Sequence, residues 1–108
     1  MSELGDKQKK FCSMVARLIL HAEALGYSLT FGDAYRDARV TYGHVNSLHR
    51  KRLAVDLNLF KLIDGDWEYM TTTEAHTPLG IYWESIGGTW GGRFDDGNHY
   101  SLEHEGMK

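Results

Sequence analysis

The chain has 108 residues, 42% of them hydrophobic and 25% charged, with a formal net charge of −3. That describes one small globular domain, neither disordered nor collagenous, and a poor partner for a nucleic-acid backbone. No run approaches the ~20 apolar residues of a membrane span, the polar start MSELGDKQKK does not read as a secretory signal, and one cysteine, Cys12, excludes a disulfide framework or a thiolate metal cluster.

In chain order, Phe11, Val15, Leu18, Ala22 and Leu25 recur in steps of four and three, which predicts a helix over 6–25 stopped by Gly26. His21 lies beside that stripe and is expected to be structural or solvent-facing. Tyr27 to Gly32 alternates polar and apolar residues, as a short strand does. The polar stretch 35–42 reads as irregular chain or a short helix. Residues 52–63, RLAVDLNLFKLI, predict a strand, and Asp64-Gly65 ahead of Trp67-Glu-Tyr-Met predicts a hairpin with Trp67 and Tyr69 in its core. Thr73 to Ile86 predicts a second helix, capped by Thr73 and packed through Leu79, Tyr82, Trp83 and Ile86. Gly87-Gly88 ends it. The loop TWGGRFDDGN and a strand from His99 to Glu103 follow, and His104 falls in a tail expected to fray. The fold class is α+β, a small antiparallel sheet with two main helices, in a single domain over 1–108 with no room for a second core.

Two counts stand out: six histidines, and twelve glycines of which six fall between positions 80 and 97. Asp56 is the other oddity, a carboxylate flanked by Val55 and Leu57 in a segment that wants to be interior. A buried carboxylate needs a cation or several donors. One reading is an arginine partner or capped backbone amides; the other is a metal. His49 stands seven positions earlier and His99 opens the last strand. Two imidazoles and one carboxylate make a catalytic zinc set that leaves one position open, whereas structural zinc sites are closed by four ligands. His44, His76 and His104 are expected not to be ligands, with His44 near enough to His49 to touch a substrate.

Ser47-Leu-His-Arg-Lys-Arg-Leu-Ala-Val-Asp resembles the S-x-H-x-x-G-x-A-x-D motif of the zinc D-alanyl-D-alanine carboxypeptidases and L-alanyl-D-glutamate peptidases. Asp96-Gly-Asn-His99 resembles that family's second motif, D-x-x-H, which follows a Trp-Gly-Gly loop, here Trp90-Gly91-Gly92. Arg36 in AYRDAR sits where the family has an arginine ahead of the first histidine. The likeness spans about Phe31 to Ser101, and the chain resembles the short phage endolysins of that family. One position departs from the pattern: the family's glycine aligns with Arg52. A positive φ there would be costly for an arginine.

The resemblance implies a Hedgehog/DD-peptidase-like zinc peptidase fold, with zinc (Zn2+) held by His49, Asp56 and His99. It makes Asp96 the catalytic base and gives Arg36 the substrate or the developing negative charge. Ser47 and Trp90 would meet the substrate, a peptidoglycan stem peptide. Gly87, Gly88, Gly91 and Gly92 would then let the backbone approach an extended peptide, with Trp90 and Trp83 as flat walls. The expected setting is a monomer made in the cytoplasm and acting on the cell wall in the periplasm, without nucleic acid or stable membrane association. Two other classes compete. A non-catalytic binding module on the same fold is disfavoured by the complete set of ligands and base. A metal-dependent nuclease, suggested by Asp96-Gly-Asn-His99 and the cluster Arg50 to Arg52, is disfavoured by the acidic net charge.

Overall fold

The computed structural model describes residues 3–32, 48 and 51–108 and opens with helix α1, Glu3–Ala24. Arg36, His44, Ser47, His49 and the stretch 35–42 lie outside the described residues. Helix α1 buries Phe11, Met14, Leu18 and Ala22, with Val15 partly covered. Leu25 falls beyond the helix and is exposed, while Met14, outside the expected stripe, is buried. Gly26, at φ +90, turns the chain out of the helix, a conformation that glycine adopts without a Cβ clash. His21 stacks on Tyr82 with ring centroids 3.9 Å apart, a structural role.

Among the described residues five antiparallel strands follow: β1, Tyr27–Phe31; β2, Ala54–Ile63; β3, Asp66–Met70; β4, Thr89–Trp90; and β5, His99–Ser101. Strand β2 is the spine. Its residues 57–61 pair with β1 on one edge, while β5 (against 54–56) and β3 (against 59–63) share the other. Strand β4 lies outside β5. Asp64 (φ 50) and Gly65 (φ 86) make the two-residue turn between β2 and β3, as the Asp-Gly pair predicts. Leu57 and Leu59 face inward with Leu18, Leu79, Trp83 and Tyr100, all fully buried, each worth roughly 1.5–3 kcal/mol of burial.

The second helix is broken where one was expected over 73–86. A 3-10 turn, Glu74–His76, precedes helix α2, Thr77–Ser85. Pro78 carries no N–H to continue the ladder back into the turn, so the α-helix starts beside it. The capping hydroxyl is that of Thr72, which accepts the Ala75 N–H at 3.2 Å; Thr73 makes no cap bond. The strand expected from residue 52 begins at Ala54. Arg52 sits at φ 56, and the Leu53 N–H closes back on the Leu48 carbonyl at 2.9 Å. The position thus takes the left-handed conformation for which glycine is the usual residue.

Two further expectations are corrected. Trp67 and Tyr69 are 54% and 55% exposed, because they share the sheet face opposite to the buried Leu57 and Leu59. The last strand stops at Ser101, and the chain beyond it folds back on itself through a His104–Met107 bridge. His104 is buried, exchanges two 3.0 Å backbone bonds with Met107, and lies 3.4 Å from the Lys7 ammonium. Among the described residues no helix is long and apolar enough to cross a membrane.

Candidate active site

Asp56 enters the site through the pairing of two strands. Its carbonyl accepts the Gly32 N–H at 2.7 Å, and the next amide, Leu57 N–H, donates to the Asn98 carbonyl at 2.9 Å. The backbone is therefore pinned on both edges. His99 of β5 is its register partner, and directly opposed residues point to the same face. Asp56 Oδ1 lies 3.5 Å from His99 Nδ1, with side chains 20% and 10% exposed. Asp56 Oδ1 and His99 Nε2 are both shielded from solvent. A carboxylate oxygen and an imidazole thus converge from opposite strands in a partly dry setting, the donor types a borderline-soft divalent ion takes. Among the described residues no group of three or more His, Cys, Asp or Glu stands together as a metal site. The expected third donor, His49, lies outside them.

Hydrogen bonds to neighbouring segments and within the loop itself hold the turn ahead of His99. After the 3-10 turn Gly91–Phe94, Asp95 takes a left-handed φ of 65. The Asp96 N–H donates to the Gly91 carbonyl (2.9 Å), and the His99 N–H donates to the Asp96 carbonyl (3.1 Å). The Gly97 N–H donates to Thr73 Oγ1 (3.2 Å), while the Gly97 carbonyl accepts the indole N–H of Trp90 (2.8 Å). Asp96 itself is exposed and borders a cavity of about 210 Å³ that Asn58, Tyr69, Thr73, His76 and Asn98 also line. A carboxylate on a rigid turn facing such a cavity can accept and return a proton.

The tryptophans of this region are packed into the chain, and several of the glycines make room for them. Trp90, expected as a substrate wall, is 4% exposed. Its ring fills the space that side chains at Gly80 and Gly92 would occupy, and Arg93, paired with Glu84 at 2.7 Å, lies over it. Trp83 is fully buried, its N–H donating to the carbonyls of Ser101 (2.9 Å) and Thr89 (3.1 Å), with Gly88 leaving room for its ring. Large indoles can pass this close to backbone only where the neighbour lacks a Cβ. Gly87 ends α2 at φ +103. Gly91 makes room for the Asp96–His99 turn, since a Cβ there would stand 2.7 Å from His99 Cβ and closer still to the Asp96 carbonyl oxygen.

Beside the cavity, His76 is buried and its Nδ1 lies 2.8 Å from the Tyr100 hydroxyl. Burial lowers His76 to a pKa of about 4 and raises Tyr100 well above the usual phenol range. The pair is neutral at pH 7.

The structure brings Asp56 and His99 together and sets Asp96 on the loop that leads into His99. Arg36 and Ser47, like His49, are outside the described residues. Two positioning residues, Thr73 and Gly91, were not picked out by sequence reasoning for this role. Thr73 reads as a helix cap, and its true partner Gly97 lies 24 positions away. The Trp-Gly-Gly run flags Gly91 without revealing what it packs against.

No curated protein matches the chain. The sequence profile of the D-alanyl-D-alanine carboxypeptidases matches residues 41–102, a span that takes in both motifs and the Asp56–His99 pair. With more than half of its length inside that match, the chain belongs to the D-alanyl-D-alanine carboxypeptidase family of peptidases.

Proposed function

We propose that the protein is a zinc-dependent, endolysin-like peptidase with the Hedgehog/DD-peptidase-like arrangement. Its reaction is hydrolysis of a peptide bond in peptidoglycan stem peptides, as an L-alanyl-D-glutamate endopeptidase or a D-alanyl-D-alanine carboxypeptidase. The observation that supports this reading best is the Asp56–His99 pair, opposed across β2 and β5 at 3.5 Å inside the family match. With His49 these residues would hold the zinc, which when bound supplies Lewis acidity to the reacting carbonyl and water. Asp96 takes the proton of the attacking water and returns it to the leaving amine. Arg36 clamps a substrate carboxylate or faces the oxyanion, and Ser47 meets the peptide. The protein works as a monomer on the periplasmic wall after synthesis in the cytoplasm, without nucleic acid or stable membrane association.

The test has two arms. Purified protein is expected to carry about one zinc per chain, and chelation abolishes release of stem-peptide fragments from sacculi. Asp96→Asn keeps zinc and loses turnover, whereas His99→Ala loses both. Full activity in metal-free protein, or wild-type turnover in Asp96→Asn, refutes the assignment. Mass spectrometry of the released fragments identifies the bond cut.

A further inference from the structure

The sheet face that carries Asp56 and His99 continues past them. Alternate residues of a strand share a side, so Asn58, Phe60 and Leu62 of β2 lie on that face. Opposite them stand Thr30 and Ser28 of β1, and Tyr69 and Trp67 of β3. Among the described residues this strip bears no acidic or basic side chain beyond Asp56 and His99. The other side of the same hairpin holds Lys61 against Glu68 and places Asp66 beside Ile63. Trp67, Tyr69 and Leu62 are 54%, 55% and 51% exposed, more apolar surface than a solvated hairpin requires.

The strip is also set in place by neutral contacts. The Tyr69 hydroxyl donates to Asn58 Oδ1 (3.4 Å), Asn58 Nδ2 donates to Thr30 Oγ1 (3.3 Å), and the Tyr69 and Phe60 rings tilt together at 5.3 Å. Asn58 and Tyr69 line the cavity that Asp96 borders, so the strip runs into the candidate active site.

We propose that this strip is a glycan-binding platform that takes the N-acetylated amino-sugar strand to which stem peptides are attached. A pyranose ring has an apolar C–H face and a rim of neutral hydroxyl and acetamide groups. Exposed aromatic rings beside an amide and two hydroxyls, free of charge, match both parts. A stem peptide carries carboxylates and would call for the cations this strip lacks. An anionic membrane would call for them too, and Asp66 and Glu68 on the same hairpin would be repelled. The identity of the sugar rests on the peptidoglycan reading above; the binding test does not depend on hydrolysis.

Trp67 is the exposed one of three tryptophans, since Trp83 and Trp90 are buried, so intrinsic fluorescence reports on the strip. Titration of the intact protein with the β-1,4-linked tetramer of N-acetylglucosamine is expected to shift Trp67 emission to the blue and to protect it from acrylamide, saturably. Tyr69→Ala weakens that binding about tenfold, and Trp67→Ala abolishes it by calorimetry, while Trp67→Phe retains it. For hydrolysis, Tyr69→Ala lowers about tenfold the ratio of rates on glycan-linked over free stem peptide. No response of Trp67 up to about 10 mM tetramer in protein that hydrolyses stem peptide overturns the platform alone. A blue shift with sugar-free phosphatidylcholine vesicles, or one that follows protein concentration with no ligand, also overturns it, in favour of a membrane or a second copy. Saturable sugar binding by a protein with no zinc-dependent hydrolysis upholds the platform and refutes the peptidase reading instead.

Discussion

A single methyl group added at Gly91 is expected to disable the candidate site without touching any of its reactive groups. Gly91 is buried, its carbonyl accepts the Asp96 N–H, and its Cα lies against the turn that delivers Asp96 and His99. In Gly91→Ala the new Cβ would stand 2.7 Å from His99 Cβ, about 0.7 Å short of the 3.4 Å at which ordinary contact begins. The Asp96 carbonyl oxygen, also in the way, is backbone and cannot swing aside. His99 cannot retreat without leaving its register with Asp56. The turn therefore moves by most of an ångström, a displacement that can cost on the order of 100-fold in rate. Overpacking of this kind also costs about 1–3 kcal/mol of stability, or roughly 4–8 °C in Tm per kcal/mol for a domain of this size. Zinc affinity, read by competition with a chromophoric chelator, is expected to fall at least about tenfold, and kcat/KM at saturating zinc to fall about 100-fold. Gly87→Ala is the matched control: φ +103 strains the alanine, but nothing lies within 4 Å of the new Cβ, so stability falls while zinc affinity holds. Wild-type zinc affinity and turnover in Gly91→Ala would refute the idea that this contact sets the turn.

Thr73→Val removes the acceptor of the Gly97 N–H, at a cost of about 1–2 kcal/mol; kcat is expected to drop several-fold with KM little changed, and Thr73→Ser to restore it. His76 is neutral in the folded protein, with a pKa of about 4 against an ordinary 6.5. The unfolded chain protonates first, so the stability this residue contributes is complete above about pH 6.5 and is lost as pH falls toward 4, at up to about 1.4 kcal/mol per pH unit. Urea titrations between pH 7 and 4 measure that slope, and His76→Gln should flatten it. Arg52→Gly relieves the left-handed backbone at φ 56 and is expected to gain about 0.5–1 kcal/mol after glycine's own entropy cost. A lower melting temperature would show that the Arg52 side-chain contacts outweigh the strain.

Local patterns in the sequence carried much of this fold. The helical stripe with its terminal glycine, the Asp-Gly hairpin and the misplaced charge of Asp56 each depend on neighbours a few positions away. The opposition of Asp56 to His99 was readable only because each sits in a motif with a known companion. Packing between distant segments was not readable. Trp90 looked like a ligand wall because glycines surround it, and those glycines prove to be the space its own ring fills. Trp67 and Tyr69 looked like core because alternation separates two faces without saying which one is covered. His104 looked frayed because its partner Lys7 is 97 positions away. The unexpected role of Thr73 belongs to the same class: a hydroxyl directly before a helical turn suggests a cap, yet the amide it accepts comes from the far loop.

Strand β2 serves two neighbours on one edge, β5 at its start and β3 at its end. A slip of one residue would turn Asp56 away from His99, strip Asn58, Phe60 and Leu62 from the aromatic face, and push Leu57 and Leu59 outward. A misregistered copy would thus lose the Asp56–His99 pair and the aromatic face together, and would show water the leucines that drive aggregation. The pairing of these ten residues thus holds both faces of the sheet in place at once.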